Sequence, residues 1–291
     1  MITLKEFKDK YIGKMIESGI ESAAFDFNYI LQEVSGISKT DIIINPDKTL
    51  TEEQTKCLST VFERYIKGEP LQYILGYTWF MNNKFSVAPG VLIPRSDTEV
   101  VCEKAISYLN NFKKPSVIDM CTGSGCIGLS IASACPSASV YLCDISPVAM
   151  EISCENSSSL GLSSRVKILK GDLFKALDSL KTSQKYQMII SNPPYISREI
   201  IKLLDSRVRD HEPILALDGG IDGLDFYRKI ISEASLYLKN DGMLIFETGY
   251  DQTEAVASLM EESGFYKDIE RFKDYGGNYR GVSGIYKGDS Q

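Results

Sequence analysis

The chain has 291 residues, 43% of them hydrophobic and 24% charged, with a formal net charge of −7. That length suits one large domain with a small companion, and the acidic balance offers no global attraction to a phosphate backbone, so no DNA partner is expected. The seven cysteines are odd in number and include no CxxC pair, which excludes a disulfide framework or a zinc site and points to a reducing, cytoplasmic compartment.

In chain order, Met1 to Lys10 alternates charged and apolar residues and lacks the apolar core of a signal peptide. Phe7, Tyr11 and Met15 stand at four-residue spacing, and Phe27, Ile30, Leu31 and Val34 form a second apolar stripe; both predict amphipathic helices. Thr51 and Gln54 have the spacing of a capping box, opening a further helix that carries Cys57, Val61, Phe62 and Tyr65. Residues 1–80 hold nine Lys or Arg against twelve Asp or Glu, a net −3, so this region is no nucleic-acid arm and suits docking to protein. A helical docking domain is expected over residues 1–76. From Trp79 to Val87 two short apolar runs flank Asn82-Asn83, a pair that tolerates positive φ and suits a hairpin turn. Residues 77–95 are therefore expected to form a linking β-hairpin.

Residues 96–291 alternate strand and helix patterns. Strands are expected at Ser116 to Met120, Val140 to Cys143, Val166 to Leu169, Met188 to Ser191 and Met243 to Glu247, with helices between most of them, which implies a mostly parallel sheet. Tyr266 to Phe272 and Val282 to Tyr286 lie too close for a helical crossover and are expected to pair antiparallel. The uncharged stretch from Met120 to Cys143 is broken by five serines, three glycines and Pro136, so it reads as strand, loop and helix, with no membrane span. The fold class is α/β, Rossmann-like, with an antiparallel final strand.

The first chemical motif is Asp119-Met120-Cys121-Thr122-Gly123-Ser124-Gly125, between the first of these strands and the next helix. Open sheets bind cofactors there, and glycines let the backbone pass close under a ligand. Gly123, Gly125 and Gly128 also match the GxGxxG dinucleotide fingerprint, with Asp144 nineteen residues past Gly125, so a dinucleotide and S-adenosylmethionine both fit the pattern. Asp119 favours the second: a carboxylate at the mouth of the loop repels a pyrophosphate and can receive, directly or through water, the ammonium of a methionine-like ligand. Asp144 can accept both hydroxyls of a ribose or cap the helix after Pro147. Asp172 can face the exocyclic amine of an adenine with Leu173 covering the ring, or act as a simple cap.

The second motif is Ser191-Asn192-Pro193-Pro194-Tyr195, directly after an apolar run. Two prolines fix φ, and Pro193 forces Asn192 out of the helical region, so the segment is stiff. The Asn192 side-chain oxygen and the Pro193 carbonyl can each accept one hydrogen of a planar NH2 group while the Tyr195 ring stacks on its plane. Such a clamp suits an amide or an aromatic amine.

These segments, with Glu69-Pro-Leu-Gln-Tyr-Ile-Leu-Gly76, Val91-Leu-Ile-Pro-Arg-Ser-Asp-Thr-Glu99, Asp144-Ile-Ser-Pro147 and Glu212-Pro213 through Gly219-Gly220-Ile-Asp-Gly-Leu224, resemble the HemK/PrmC family over nearly the whole chain. The resemblance implies a class I methyltransferase that uses S-adenosylmethionine and modifies N5 of the glutamine in the Gly-Gly-Gln motif of class I peptide chain release factors. It implies cofactor contacts at Cys121 to Gly125, Asp144 and Asn192, substrate contacts at Asn192 through Tyr195, and a monomer. The Asn-Pro-Pro-Tyr motif alone is shared with amino-methylating DNA enzymes, so adenine-N6 methylation of DNA is the alternative reading. A noncatalytic cofactor-binding module that docks a translation factor is a third.

Three departures from the family stand out. Leu173 replaces its aromatic adenine contact. Cys121 replaces its usual glycine, which costs about 1 to 3 kcal/mol if the position needs positive φ. Ser96 replaces its proline, so that Ser96 to Glu99 reads as a capping box. Arg95 can reach the substrate or pair with an acidic neighbour. His211, the only histidine, makes neither a metal site nor a triad alone. Glu247 and Gln252 line a channel or cap the following helix, and capping is the better fit.

Overall fold

The computed structural model describes residues 2–181 and 183–288. The chain separates into two compact units, Met1–Leu75 and Gly76–Gln291.

The first unit is helical. Thr3 and Glu6 exchange backbone and side-chain hydrogen bonds at the start of α1 (Leu4–Glu17), and Thr51 and Gln54 do the same at α4 (Glu52–Ile66). Each such cap contributes about 1 kcal/mol. Between them lie α2 (Ala23–Ser35) and α3 (Lys39–Ile44), and α5 (Leu71–Leu75) follows. Phe7, Tyr11 and Met15 of α1 meet Phe27, Ile30 and Leu31 of α2 and Phe62 of α4 in one core. Phe62 stacks on Phe27 with ring centroids 5.0 Å apart. Burying each such ring or aliphatic chain contributes about 1.5 to 3 kcal/mol. Val34 is only half-buried and Cys57 is exposed; the inner stripe of α4 runs through Leu58, Phe62 and Tyr65 instead.

The second unit opens with the hairpin β1 (Tyr77–Phe80) and β2 (Asn83–Ser86), paired Phe80 to Asn83. Its turn residues are Met81 (φ +48°) and Asn82 (φ +62°), one residue earlier than expected. A two-residue primed turn needs positive φ at both central positions, and the Glu99 carboxylate accepts the Met81 N–H at 2.8 Å, which holds the less suitable residue there. The capping box expected at Ser96 to Glu99 does not form. Ser96–Thr98 makes a 3-10 turn without a side-chain cap, and α6 (Glu99–Leu109) follows.

The remaining strands are β3 (Ser116–Met120), β4 (Ser139–Asp144), β5 (Val166–Lys170), β6 (Tyr186–Ser191), β7 (Leu238–Glu247), β8 (Tyr266–Lys273) and β9 (Tyr279–Tyr286). They form one seven-stranded sheet in the order β5-β4-β3-β6-β7-β9-β8. The first five run parallel and the β7–β9 and β8–β9 pairs are antiparallel, as the sequence pattern predicts.

Successive strand residues point to opposite faces. Ile118, Ile189 and Leu244 therefore join one core with α12 (Asp225–Ala234) and α13 (Thr253–Glu262), while Val117, Val140 and Ile190 join another with α6 and α7 (Cys126–Ala134). The helix α8 (Pro147–Ser159) follows β4, and the single turns α9 (Arg198–Ile201), α10 (Ser206–Arg209) and α11 (Ile214–Leu217) lie between β6 and α12. Among the described residues no helix is long and apolar enough to cross a membrane.

From β3 the chain moves outward to β4 and β5, then returns to β6 on the other side of β3. That reversal opens a crevice beyond the carboxyl ends of β3 and β6, where open α/β sheets bind ligands.

Candidate active site

Three loops meet at this crevice because of register. Met120 pairs with Cys143 on one side and Ser191 on the other, so the segments that follow, Cys121 to Gly125, Asp144 to Ser146 and Asn192 to Pro194, emerge side by side. The Ser191 hydroxyl donates to Met120 O at 2.7 Å and ties β6 to the loop. Together they border one open cleft. Of the residues expected here, Cys121, Thr122, Gly123, Ser124, Asp144, Asp172, Leu173, Asn192 and Pro194 line the cleft; Asp119, Gly125, Pro193 and Tyr195 do not.

Asp144 does not cap α8; Ser146 does, accepting the Ala149 N–H. Instead the Asp144 carboxylate accepts Gly123 N–H at 2.8 Å and Ser146 N–H at 2.9 Å. Burial raises its pKa, opposed by those backbone bonds. Asp172 is exposed at the cleft edge and makes no side-chain cap, while Leu173 is buried with φ +50°.

Asp119 is not at the mouth of the loop. It lies one residue before the end of β3 on the face shared with Val117, so its side chain is wholly buried beneath the loop. There its Oδ2 accepts the Thr122 hydroxyl at 2.5 Å and Gly128 N–H at 2.9 Å, and its Oδ1 has no partner. Burial pushes its pKa up to about 7. An acid whose folded pKa is raised contributes stability below its unfolded pKa of about 3.9 that is lost as pH rises through 7. The advantage of the wild type over Asp119→Asn in thermal denaturation is therefore expected to shrink by about 3 kcal/mol between pH 5 and pH 8. An advantage that grows with pH would contradict this assignment. Glu247 is also buried and pushed to about 7 by burial, but that contribution cancels in the comparison.

Cys121 has φ +62°, a left-handed conformation that costs a residue with a Cβ about 1 to 2 kcal/mol. Glycine would remove that strain but lose about 0.5 to 1 kcal/mol in entropy. Cys121→Gly is thus expected to raise the thermal midpoint by up to about 4 °C, and a fall on calorimetry would refute the strain. Burial, reinforced by Asp144, drives the Cys121 thiol far above its ordinary pKa, and burial pushes Cys126 up to about 12. Both stay protonated and are poor nucleophiles.

Asn192 lines the cleft half-buried, and among the described residues its side chain makes no hydrogen bond. The Tyr195 ring packs against the core, with its hydroxyl 3.5 Å from Glu247 Oε1. The stacking expected of that ring is therefore not offered by this arrangement, because Glu247 holds the hydroxyl away from the cleft. Glu247 Oε2 is buried without a partner, the Arg280 charge opposes the rise of its pKa, and Arg280 itself pairs with Asp97 at 3.1 Å. Neither Glu247 nor Gln252 caps α13 with its side chain.

Arg95 both lines the cleft and pairs with the buried Glu212, whose Oε2 has no partner. Sequence reasoning missed Gly90, Leu92 and Phe226 on the cleft wall. The aromatic that ends the run Gly223-Leu224-Asp225-Phe226 was the available signal for it. Among the described residues no cluster of His, Cys, Asp or Glu is fit for a metal.

Residues 12–76 match the model of the PrmC N-terminal domain, and residues 101–210 match that of the methyltransferase small domain. A release factor glutamine methyltransferase of Geobacter sulfurreducens is 38% identical over 90% of this chain and 90% of its own. One of Clostridium acetobutylicum is 40% identical over 94% of this chain and 90% of its own. The chain belongs to the release factor glutamine methyltransferase family. A crystal structure of a methyltransferase from Pyrococcus furiosus shares the fold, with a TM-score of 0.50 at 16% identity over 70% of this chain and 89% of that one. The present enzyme carries Asn192-Pro193-Pro194-Tyr195 directly after β6 and cysteine at the head of its glycine loop.

Proposed function

We propose that this methyltransferase transfers a methyl group from S-adenosylmethionine to N5 of the glutamine in the Gly-Gly-Gln motif of class I peptide chain release factors. The observation that carries the reading is the uncommitted side-chain amide of Asn192 on the wall of a cleft shared with the Cys121 to Gly125 loop. The cleft residues fit the cofactor. The Asp144 carboxylate is pinned by two backbone N–H groups and oriented to accept ribose hydroxyls. Gly123 and Ser124 border the same space, and Asp172 and Leu173 suit the adenine. Bound S-adenosylmethionine would supply an electrophilic methyl group and a neutral thioether leaving group.

The protein's part is orientation. An amide nitrogen is a weak nucleophile because its lone pair is delocalised, so fixing its direction matters more than a base. Asn192 Oδ1 on the cleft wall accepts one amide hydrogen; the Pro193 carbonyl, next in the same stiff segment although Pro193 itself does not line the cleft, is assigned the other, and the prolines keep these acceptors from moving. Positioning of this kind is worth several of the roughly 7 to 11 kcal/mol available from proximity and orientation. Tyr195 anchors the hook in the core, the released proton passes to water, and the acidic helical unit docks the factor. The enzyme acts in the cytoplasm as a monomer.

Incubation of the enzyme and labelled S-adenosylmethionine with a release factor, its Gln→Ala variant and duplex DNA tests the reading. Label on the intact factor alone is expected; label on DNA or on the Gln→Ala variant would overturn it.

A further inference from the structure

The Gly219 to Gly223 segment and Gln252 have no role in the reaction as derived so far, yet both close on the backbone behind the hook. Pro193 and Pro194 have no N–H to pair with the sheet, so the first tethers beyond β6 are made at Tyr195 and Ile196. Ile196 N–H donates to Leu217 O at 2.9 Å, Gly219 N–H donates to Ile196 O at 2.9 Å, and Arg198 N–H donates to Gly220 O at 3.1 Å. A Cβ on Gly219 would stand 2.7 Å from Tyr195 Cα, and one on Gly223, which has φ +77°, 2.3 Å from Tyr195 O. Only glycine lets this strip lie against the hook. Gln252 completes the tether: Nε2 donates to Tyr195 O at 2.8 Å and Oε1 accepts Gly249 N–H at 3.2 Å.

We propose that Gln252 is a positioning residue, holding the Tyr195 carbonyl against the Gly219 to Gly223 strip so that the stiff prolines transmit a fixed direction to the Asn192 amide. This rests on the reading of Asn192 as the substrate clamp. Charged groups near this contact are the neighbour Asp251, Asp222 and Asp225, both paired to Arg228, and Glu247, Arg280 and Arg95 near the Tyr195 side chain.

Gln252→Met keeps the length of the side chain and removes both hydrogen bonds. It is expected to lower kcat for release-factor methylation roughly 10- to 100-fold and to leave the dissociation constant for S-adenosylmethionine within about twofold, with faster hydrogen exchange at the Ile196 and Arg198 amides. Gln252→Glu keeps the acceptor but sets a carboxylate against the Tyr195 carbonyl. Its activity relative to wild type is expected to rise between pH 8 and pH 6, as protonation restores a donor; a purely structural role would not move that ratio. Wild-type kcat in Gln252→Met overturns the proposal, and so does unchanged exchange at Ile196. Failure of the wild-type enzyme to label the factor would refute the substrate reading instead, and faster exchange in Gln252→Met would still uphold the brace.

Discussion

Asn192→Ala is expected to lower the rate of release-factor methylation by at least about 100-fold and to leave the thermal midpoint within a few degrees of wild type. The asymmetry follows from where the residue sits. Asn192 lines the cleft half-buried and its amide bonds no other described residue, so truncation removes no core volume and orphans no buried partner. What it removes is one of two fixed acceptors for the substrate amide, and an amide that swings freely rarely presents its nitrogen in the reactive direction. Asn192→Asp separates charge from shape: it keeps an acceptor at the same place, so it should retain more activity than alanine. Initial rates with labelled cofactor, alongside calorimetric melting, measure both. Equal activity of Asn192→Ala and wild type would remove Asn192 from the reaction.

Asp144→Ala is expected to weaken S-adenosylmethionine binding by about 10- to 100-fold, the range for hydrogen bonds to a charged group. The loss has two sources in the structure. The carboxylate itself is the acceptor placed for the ribose, and its removal also frees Gly123 N–H and Ser146 N–H, which it holds at 2.8 and 2.9 Å. Asp144→Asn retains a single acceptor and should fall between the two. Titration calorimetry with S-adenosylmethionine decides the order; an alanine variant that binds as tightly as wild type would move the ribose site elsewhere.

The order of strands and helices in the second unit was readable because strand residues alternate and helix residues repeat at 3.6, and the sheet then follows from short connections. The cleft was largely readable for the same reason: its loops follow directly on apolar runs that end at Met120, Cys143 and Ser191. What stayed hidden depends on contacts distant in sequence. Met81 takes the hairpin turn because of a carboxylate 18 residues later, and the Gln252 amide reaches a carbonyl 57 residues earlier. The depth of Asp119 was hidden for another reason. Sequence places it next to the loop, but only the sheet register shows that its face turns toward α7 and away from the cleft.

The most direct test is a crystal structure of the enzyme with S-adenosylhomocysteine and a glutamine-containing peptide from the release factor loop. The glutamine NH2 should donate to Asn192 Oδ1 and to the Pro193 carbonyl, with its nitrogen facing the cofactor sulfur. A glutamine bound on any other wall of the cleft, leaving Asn192 without contact, would contradict it.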